Sequence, residues 1–245
     1  MPILELQNLT KRFGDFTAVD HLNLEVNAGE IFGLLGHNGA GKTTTINVIV
    51  GLLPPTEGTA KVNGHDIATE PIEARRNIGL MPDSAGVYFN LTGRQNLSYF
   101  GELANLPTKV TDERTNELLK LVKLDDWATV KAGKYSRGMK QRLGIAQSLI
   151  RDPSLLIYDE PTLGIDPEGT REIRDTIYEL AKTRGKTIVL ATHLLGEVSR
   201  LCDRVAIMGH GKLLAVGTIP ELRSQLQLEE SSDLEDIFMR FQGAI

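Results

Sequence analysis

The chain reads as an α/β protein: a parallel sheet carrying a phosphate-binding loop, fronted by an antiparallel β layer and interrupted by a helical insertion. Three observations predict this. Gly36, four residues, then Gly41-Lys42-Thr43 is the spacing of a P-loop, set between a short apolar run at Ile31–Leu35 and a helical recurrence of Ile46, Ile49, Val50 and Leu53. Leu155-Leu156-Ile157-Tyr158 is an unbroken apolar run, as in a strand buried on both faces, and Asp159-Glu160 follow it directly. From Leu91 to Ile150 strand patterns vanish and helical ones take over.

Composition sets the frame. At 245 residues the chain suits one large domain or two small ones. A net charge of −5, with both signs interspersed, argues against nucleic acid as a main partner. No apolar stretch approaches the ~18 residues a membrane-spanning helix needs. The first residues show no charged segment before a long apolar core, so no secretory signal is expected. Cys202 is the single cysteine, which excludes an internal disulfide and suits a reducing compartment, the cytoplasm. It lies in an apolar helical pattern and reads as inert filler.

Taken in order, Ile3–Leu9 alternates as a half-buried strand, Lys11–Phe16 is a turn with two aromatics, and Val19–Val26 alternates again. Thr59–Val62 is a further short strand, and Asn63-Gly64 signals a hairpin. Ile78–Met81 is an apolar strand ended by Pro82. The last helix of the insertion starts near Ser136, a favoured N-cap, runs Met139, Leu143, Ala146 and Ile150 along one face, and stops at Asp152-Pro153. Asp166 caps the next helix with Pro167 at its first position; Ile173, Ile177 and Leu180 form its inner face and Gly185 ends it. Thr187–Ala191 is a strand, Leu194–Cys202 a helix, and Val205–Met208 a strand that turns through Gly209-His210-Gly211 into Lys212–Val216. The tail from Ile219 is expected to be helical.

The chemistry follows from residue types. Glycines allow the tight turn Gly36-His37-Asn38-Gly39-Ala40-Gly41, whose N–H groups can face a phosphate chain. The helix opening at Lys42-Thr43-Thr44 adds its positive end. Lys42 reaches the β- and γ-phosphates and the Thr43 hydroxyl can ligate Mg²⁺. Ligands of parallel sheets sit at the carboxyl ends of strands, so Asp159 is placed to hold Mg²⁺ and Glu160 to polarise an attacking water. His193 also follows a strand, where a neutral imidazole can donate to the γ-phosphate.

With these residues in place, the chain resembles the ATP-binding cassette of ABC transporters over nearly its whole length. Gly36–Thr43 matches the Walker A motif, Leu155–Glu160 Walker B with its catalytic glutamate, Leu163–Asp166 the D-loop, and His193 the switch histidine. Phe13 matches the aromatic that stacks on adenine. Tyr135-Ser136-Arg137-Gly138-Met139 stands where the family writes Leu-Ser-Gly-Gly-Gln. The resemblance implies one ABC ATPase domain with a P-loop NTPase (RecA-like) core. Its β subdomain and core cover 1–86, a helical subdomain about 87–152, the continued core 153–217 and a helical tail 218–245. It also implies ATP and Mg²⁺ as cofactors and a sandwich dimer with a second copy or paralogue. There each ATP lies between one P-loop and the other subunit's Ser136 and Gly138, with Asp166 at the nucleotide sites. An integral membrane permease would be the other partner, placing the chain at the cytoplasmic face of the cell membrane.

Two departures stand out. Arg137 and Met139 replace a glycine and the glutamine of the signature. Asp83 stands where the family usually has a glutamine that senses Mg²⁺ and the attacking water; a carboxylate there is expected to add a metal ligand but cannot donate a hydrogen bond. Leu91–Leu97, the Tyr-Ser-Arg-Gly-Met-Lys-Gln variant and the Leu234–Phe238 tail resemble a prokaryotic branch of sodium-extrusion and drug-resistance ATPases. Export is the favoured reading. An importer ATPase and a non-transport cassette acting on DNA or ribosomes are the alternatives. The latter usually carries coiled coils or tandem cassettes and a basic surface.

Overall fold

Alternating apolar residues at the front of the chain fold into two long antiparallel strands, β1 (Pro2–Phe13) and β2 (Phe16–Asn27). The computed structural model describes residues 2–243. The hairpin is tighter than the expected turn over Lys11–Phe16: Phe13 pairs directly with Phe16, and Gly14 adopts φ 58° to reverse the chain. Next come β3 (Ile31–Leu35), α1 (Lys42–Ile49), β4 (Glu57–Val62) and β5 (His65–Asp66). Strands β2-β1-β4-β5 form one four-stranded sheet, and Asn63-Gly64 makes the expected hairpin. A short helix, α2 (Pro71–Arg76), was not foreseen; six residues are too few to leave a helical period.

The second sheet gathers β3 with β6 (Ile78–Met81), β7 (Leu155–Asp159), β8 (Thr187–Thr192), β9 (Arg204–Gly209) and β10 (Lys212–Gly217). Its order is β10-β9-β3-β8-β7-β6, parallel except for the β9–β10 hairpin. Successive residues of a strand face opposite sides, so Leu155 and Ile157 join the core shared with the antiparallel sheet, while Leu156 and Tyr158 join the core beneath the helices. Burial on both faces is what the unbroken apolar run required.

The helical layer contains α3 (Gly93–Leu103), α4 (Thr108–Leu121) and α5 (Arg137–Ser148). Thr92 and Gln95 form a capping box on α3, and Ser136 Oγ accepts from Met139 N at 3.2 Å to cap α5. Helix α5 ends at Ser148, short of the expected stop, so Ile150 is buried beyond the helix rather than on its face. Asp166 caps α6 (Pro167–Lys182) by accepting from Gly169 N at 2.9 Å. Beyond α7 (Leu195–Leu201), the tail is two helices, α8 (Ile219–Gln225) and α9 (Leu234–Gln242). The apolar side of α9 (Leu234, Ile237, Phe238) packs with Val205, Ile207 and Leu222. Cys202 caps α7, and burial drives its thiol pKa far up, as suits filler. Among the described residues no helix is long and apolar enough to cross a membrane.

One topological fact positions everything that follows. Strand β8 lies between β3 and β7, so the carboxyl ends of all three open side by side.

Candidate active site

Past β3 the chain turns through Gly36–Gly41 into α1. Gly41 adopts φ 103°, and a Cβ there would come 2.6 Å from the Ala18 carbonyl oxygen, so no other residue fits. Gly41 gives α1 no side-chain cap and no acidic residue stands in its first turn, which leaves the helix's positive end for an anion. Lys42 is only 6% exposed. Its Nζ donates to the carbonyls of Gly36 at 2.6 Å and His37 at 3.3 Å, and stands 3.9 Å from Glu160 Oε1. Burial pulls the ammonium below the usual lysine pKa, while Glu160 and Asp159 oppose that loss.

The end of β7 supplies two carboxylates. Thr43 Oγ1 donates to Asp159 Oδ2 at 2.9 Å. Burial pushes the Asp159 carboxyl above its ordinary pKa; the Thr43 hydrogen bond and Lys42 counter this, and the charges of Glu160 and Asp83 add to it. A crowded, partly desolvated carboxylate beside a hydroxyl suits a hard cation. Among the described residues no group of three or more His, Cys, Asp or Glu is assembled to hold a metal. A cation here would draw its remaining ligands from phosphate and water, as Mg²⁺ commonly does.

Glu160 is 8% exposed and sits at φ 49°, a left-handed backbone uncommon for a non-glycine residue. Its N–H donates to the Ala191 carbonyl at 2.8 Å. Oε2 accepts from Thr192 Oγ1 at 2.7 Å, and Oε1 lies 2.8 Å from His193 Nδ1. His193 therefore reaches the cleft through Glu160. Thr192, absent from the sequence-based set, orients the same carboxylate; as an ordinary strand residue it gave no signal.

A cleft of about 370 Å³ brings together His37, Asn38, Gly39, Gly41, Lys42, Thr43, Thr44, Asp83, Asp159 and Glu160. Gly36 and Ala40 are buried behind it and shape the loop. Its aromatic wall is Phe16, 65% exposed, rather than Phe13, which pairs with Phe16 across the hairpin and carries Lys11 Nζ 5.2 Å over its ring. Ser136, Gly138 and Asp166 do not line this cleft. They lie together elsewhere: a Cβ on Gly138 would meet Ile165 at 3.3 Å, beside Asp166.

The arrangement can grip a polyphosphate, place a cation at its end and orient a water, the parts needed for phosphoryl transfer. A family profile described as "ABC transporter" matches residues 19–163. The bacitracin transport ATP-binding protein BcrA of Bacillus licheniformis is 44% identical over 212 residues, 86% of this chain and 68% of that protein. The linearmycin resistance ATP-binding protein LnrL of Bacillus subtilis is 39% identical over 224 residues, 91% of this chain and 72% of that one. A solved ATP-binding subunit of an ABC transporter superposes with a TM-score of 0.87 at 30% identity, covering 98% of this chain and 99% of its own. A dimeric ATP-binding cassette, MJ0796, bound to ADP and Pi in a post-hydrolysis state, gives a TM-score of 0.78 at 26% identity, over 88% and 98% of the two chains. The chain belongs to the ABC transporter family, as an ATP-binding subunit that hydrolyses ATP.

Proposed function

We propose that this ATPase drives a drug exporter at the cytoplasmic face of the membrane, as a dimer closed by two Mg²⁺-ATP and opened by hydrolysis. Lys42 and the loop backbone bind the phosphates, Thr43 and Asp159 with Asp83 hold Mg²⁺, Glu160 polarises the water, and His193 aligns Glu160. The observation that carries the dimer is the separation just described. Ser136 caps a 12-residue helix with its side chain exposed, outside its own chain's cleft, where the nucleotide held by a second chain can meet it. The dimeric state of the MJ0796 cassette supports this.

The resistance role of LnrL supports export. A membrane partner is supported by an apolar groove of about 420 Å³ between the sheet and the helical layer, lined by Leu80 and Pro82 on one side and Phe100 and Leu103 on the other. Asp83, the residue after Pro82, lines the nucleotide cleft, so a load on the groove has a covalent path to the site. The helical layer, about 87–152, would move against the core as a subdomain.

Size-exclusion chromatography of Glu160→Gln tests the dimer. With ATP and Mg²⁺ it should elute as a dimer, because ligand trapped between two faces stabilises their association; without nucleotide it should be a monomer. A monomer at high protein and ATP concentration would overturn self-association around nucleotide.

A further inference from the structure

The C-terminal helix α9 touches the phosphate loop. The His37 ring, exposed at the cleft, meets the Phe238 ring edge-on, with centroids 4.8 Å apart and planes at 68°. Phe238 is 4% exposed and anchored among Leu35, Val205 and Ile237, so it is the fixed member of the pair. One turn further along the same face, Gln242 Nε2 donates to the Met208 carbonyl at 3.0 Å. That carbonyl abuts the start of the loop: a Cβ on Gly36 would come 2.8 Å from its oxygen. Two residues of α9, four apart, thus bear on the two consecutive residues whose carbonyls hold Lys42 Nζ.

We infer that α9 is a brace for the phosphate loop, with Phe238 and Gln242 as positioning residues that hold the Gly36–His37 turn ready for nucleotide. The loop must keep its N–H groups converged, and any ordering supplied beforehand is ordering the nucleotide need not impose. Phe238 restrains the His37 ring, and with it the backbone carbonyl on Lys42. Gln242 fixes the Met208 carbonyl against which Gly36 rests. Helix α9 is then part of the nucleotide site although it supplies no group to the phosphates.

The test is a double-mutant cycle on the full chain, with His37→Ala, Phe238→Leu and the pair. The readouts are the dissociation constant for ADP by calorimetry and steady-state ATPase kinetics. Leucine keeps the apolar volume that α9 needs and removes the ring. Each single change should raise the ADP dissociation constant and the KM for ATP about three- to tenfold, the range of an aromatic pair. The pair should be no worse than the weaker-binding single, and kcat of Phe238→Leu should stay within about twofold. Merely unfolding part of the sample would lower apparent kcat and leave KM and the ADP constant in place, so the split separates bracing from stability. Gln242→Ala, at the partly exposed end of α9, gives a second arm with an expected two- to threefold rise in the ADP constant. Fully multiplicative effects in the cycle, or unchanged ADP affinity in both Phe238→Leu and Gln242→Ala, would overturn the brace.

Discussion

His193 Nδ1 and Glu160 Oε1 lie 2.8 Å apart at the ends of neighbouring strands, although thirty-three positions separate them in the chain. An ionised carboxylate only accepts, so Nδ1 is the donor in this pair. The pair fixes one oxygen of the Glu160 carboxylate while Thr192 fixes the other. His193→Ala should therefore lower kcat ~10²-fold, the usual scale for a misaligned general base. The KM for ATP should stay within about threefold, since the contact orients the base rather than the nucleotide. An unchanged kcat in steady-state assays would remove the alignment role.

Lys42 fills a slot closed by two carbonyls and faced by Glu160. Lys42→Ala should reduce ATP turnover by ~10²–10³, the scale of losing one fixed electrostatic donor. Lys42→Arg should fare nearly as badly, because the planar guanidinium keeps the charge but not the shape. Near wild-type turnover in the alanine variant would dismiss the phosphate role of the loop.

Asp159 links the site to pH. Its carboxyl pKa is raised in the folded chain above the ordinary 3.8, chiefly by burial. As pH climbs through that window the unfolded chain releases this proton first. The group therefore withdraws stability across the window and withdraws its full share above it. Asp159→Asn, which can still accept from Thr43, should melt at the same or higher temperature than wild type at neutral pH without nucleotide. Its ATP hydrolysis should drop ~10²-fold. A clear fall in melting temperature would mean the carboxylate is net stabilising.

Asp83 lines the cleft and its charge bears on Asp159. If it ligates Mg²⁺, Asp83→Asn should raise the Mg²⁺ concentration for half-maximal ATPase activity several-fold, while Asp83→Gln keeps substantial turnover. Titrations of the three proteins decide it; superimposable Mg²⁺ curves for wild type and Asp83→Asn would leave the residue a turn former.

Phe16, not Phe13, faces the cleft. Phe16→Ala should weaken ATP binding by ~1–3 kcal/mol, as for bases stacked on aromatic platforms. Phe13→Ala should cost less, and GTP should bind as well, since a stacked ring reads the π-face of the base. The reverse ranking of the two variants would return the stacking role to Phe13.

The local parts of this site were legible because each is a short word: a glycine loop between strand and helix, or two acids ending an apolar run. Their meeting was not. It depends on β8 inserting between β3 and β7, and strand order is a property of pairing across distance. The Glu160–His193 and His37–Phe238 contacts are invisible for the same reason. The two aromatics of the first hairpin were both visible, yet which one meets the cleft follows from the register and twist of β1 on β2. The six-residue α2 was missed because it makes fewer than two helical turns, too few for an apolar recurrence to register.

The place of β3 also sets a timetable for the nascent chain. Its two hydrogen-bonding neighbours, β8 and β9, begin at Thr187 and Arg204, so the strand that carries the phosphate loop leaves the ribosome long before either partner exists. Until then it offers two unpaired apolar edges, while the β1–β2 hairpin and the helical layer can close from nearby residues. A chain arrested after α5 would hold a complete phosphate-loop sequence with no sheet to seat it. Such a fragment is a natural client for chaperones rather than a small ATPase.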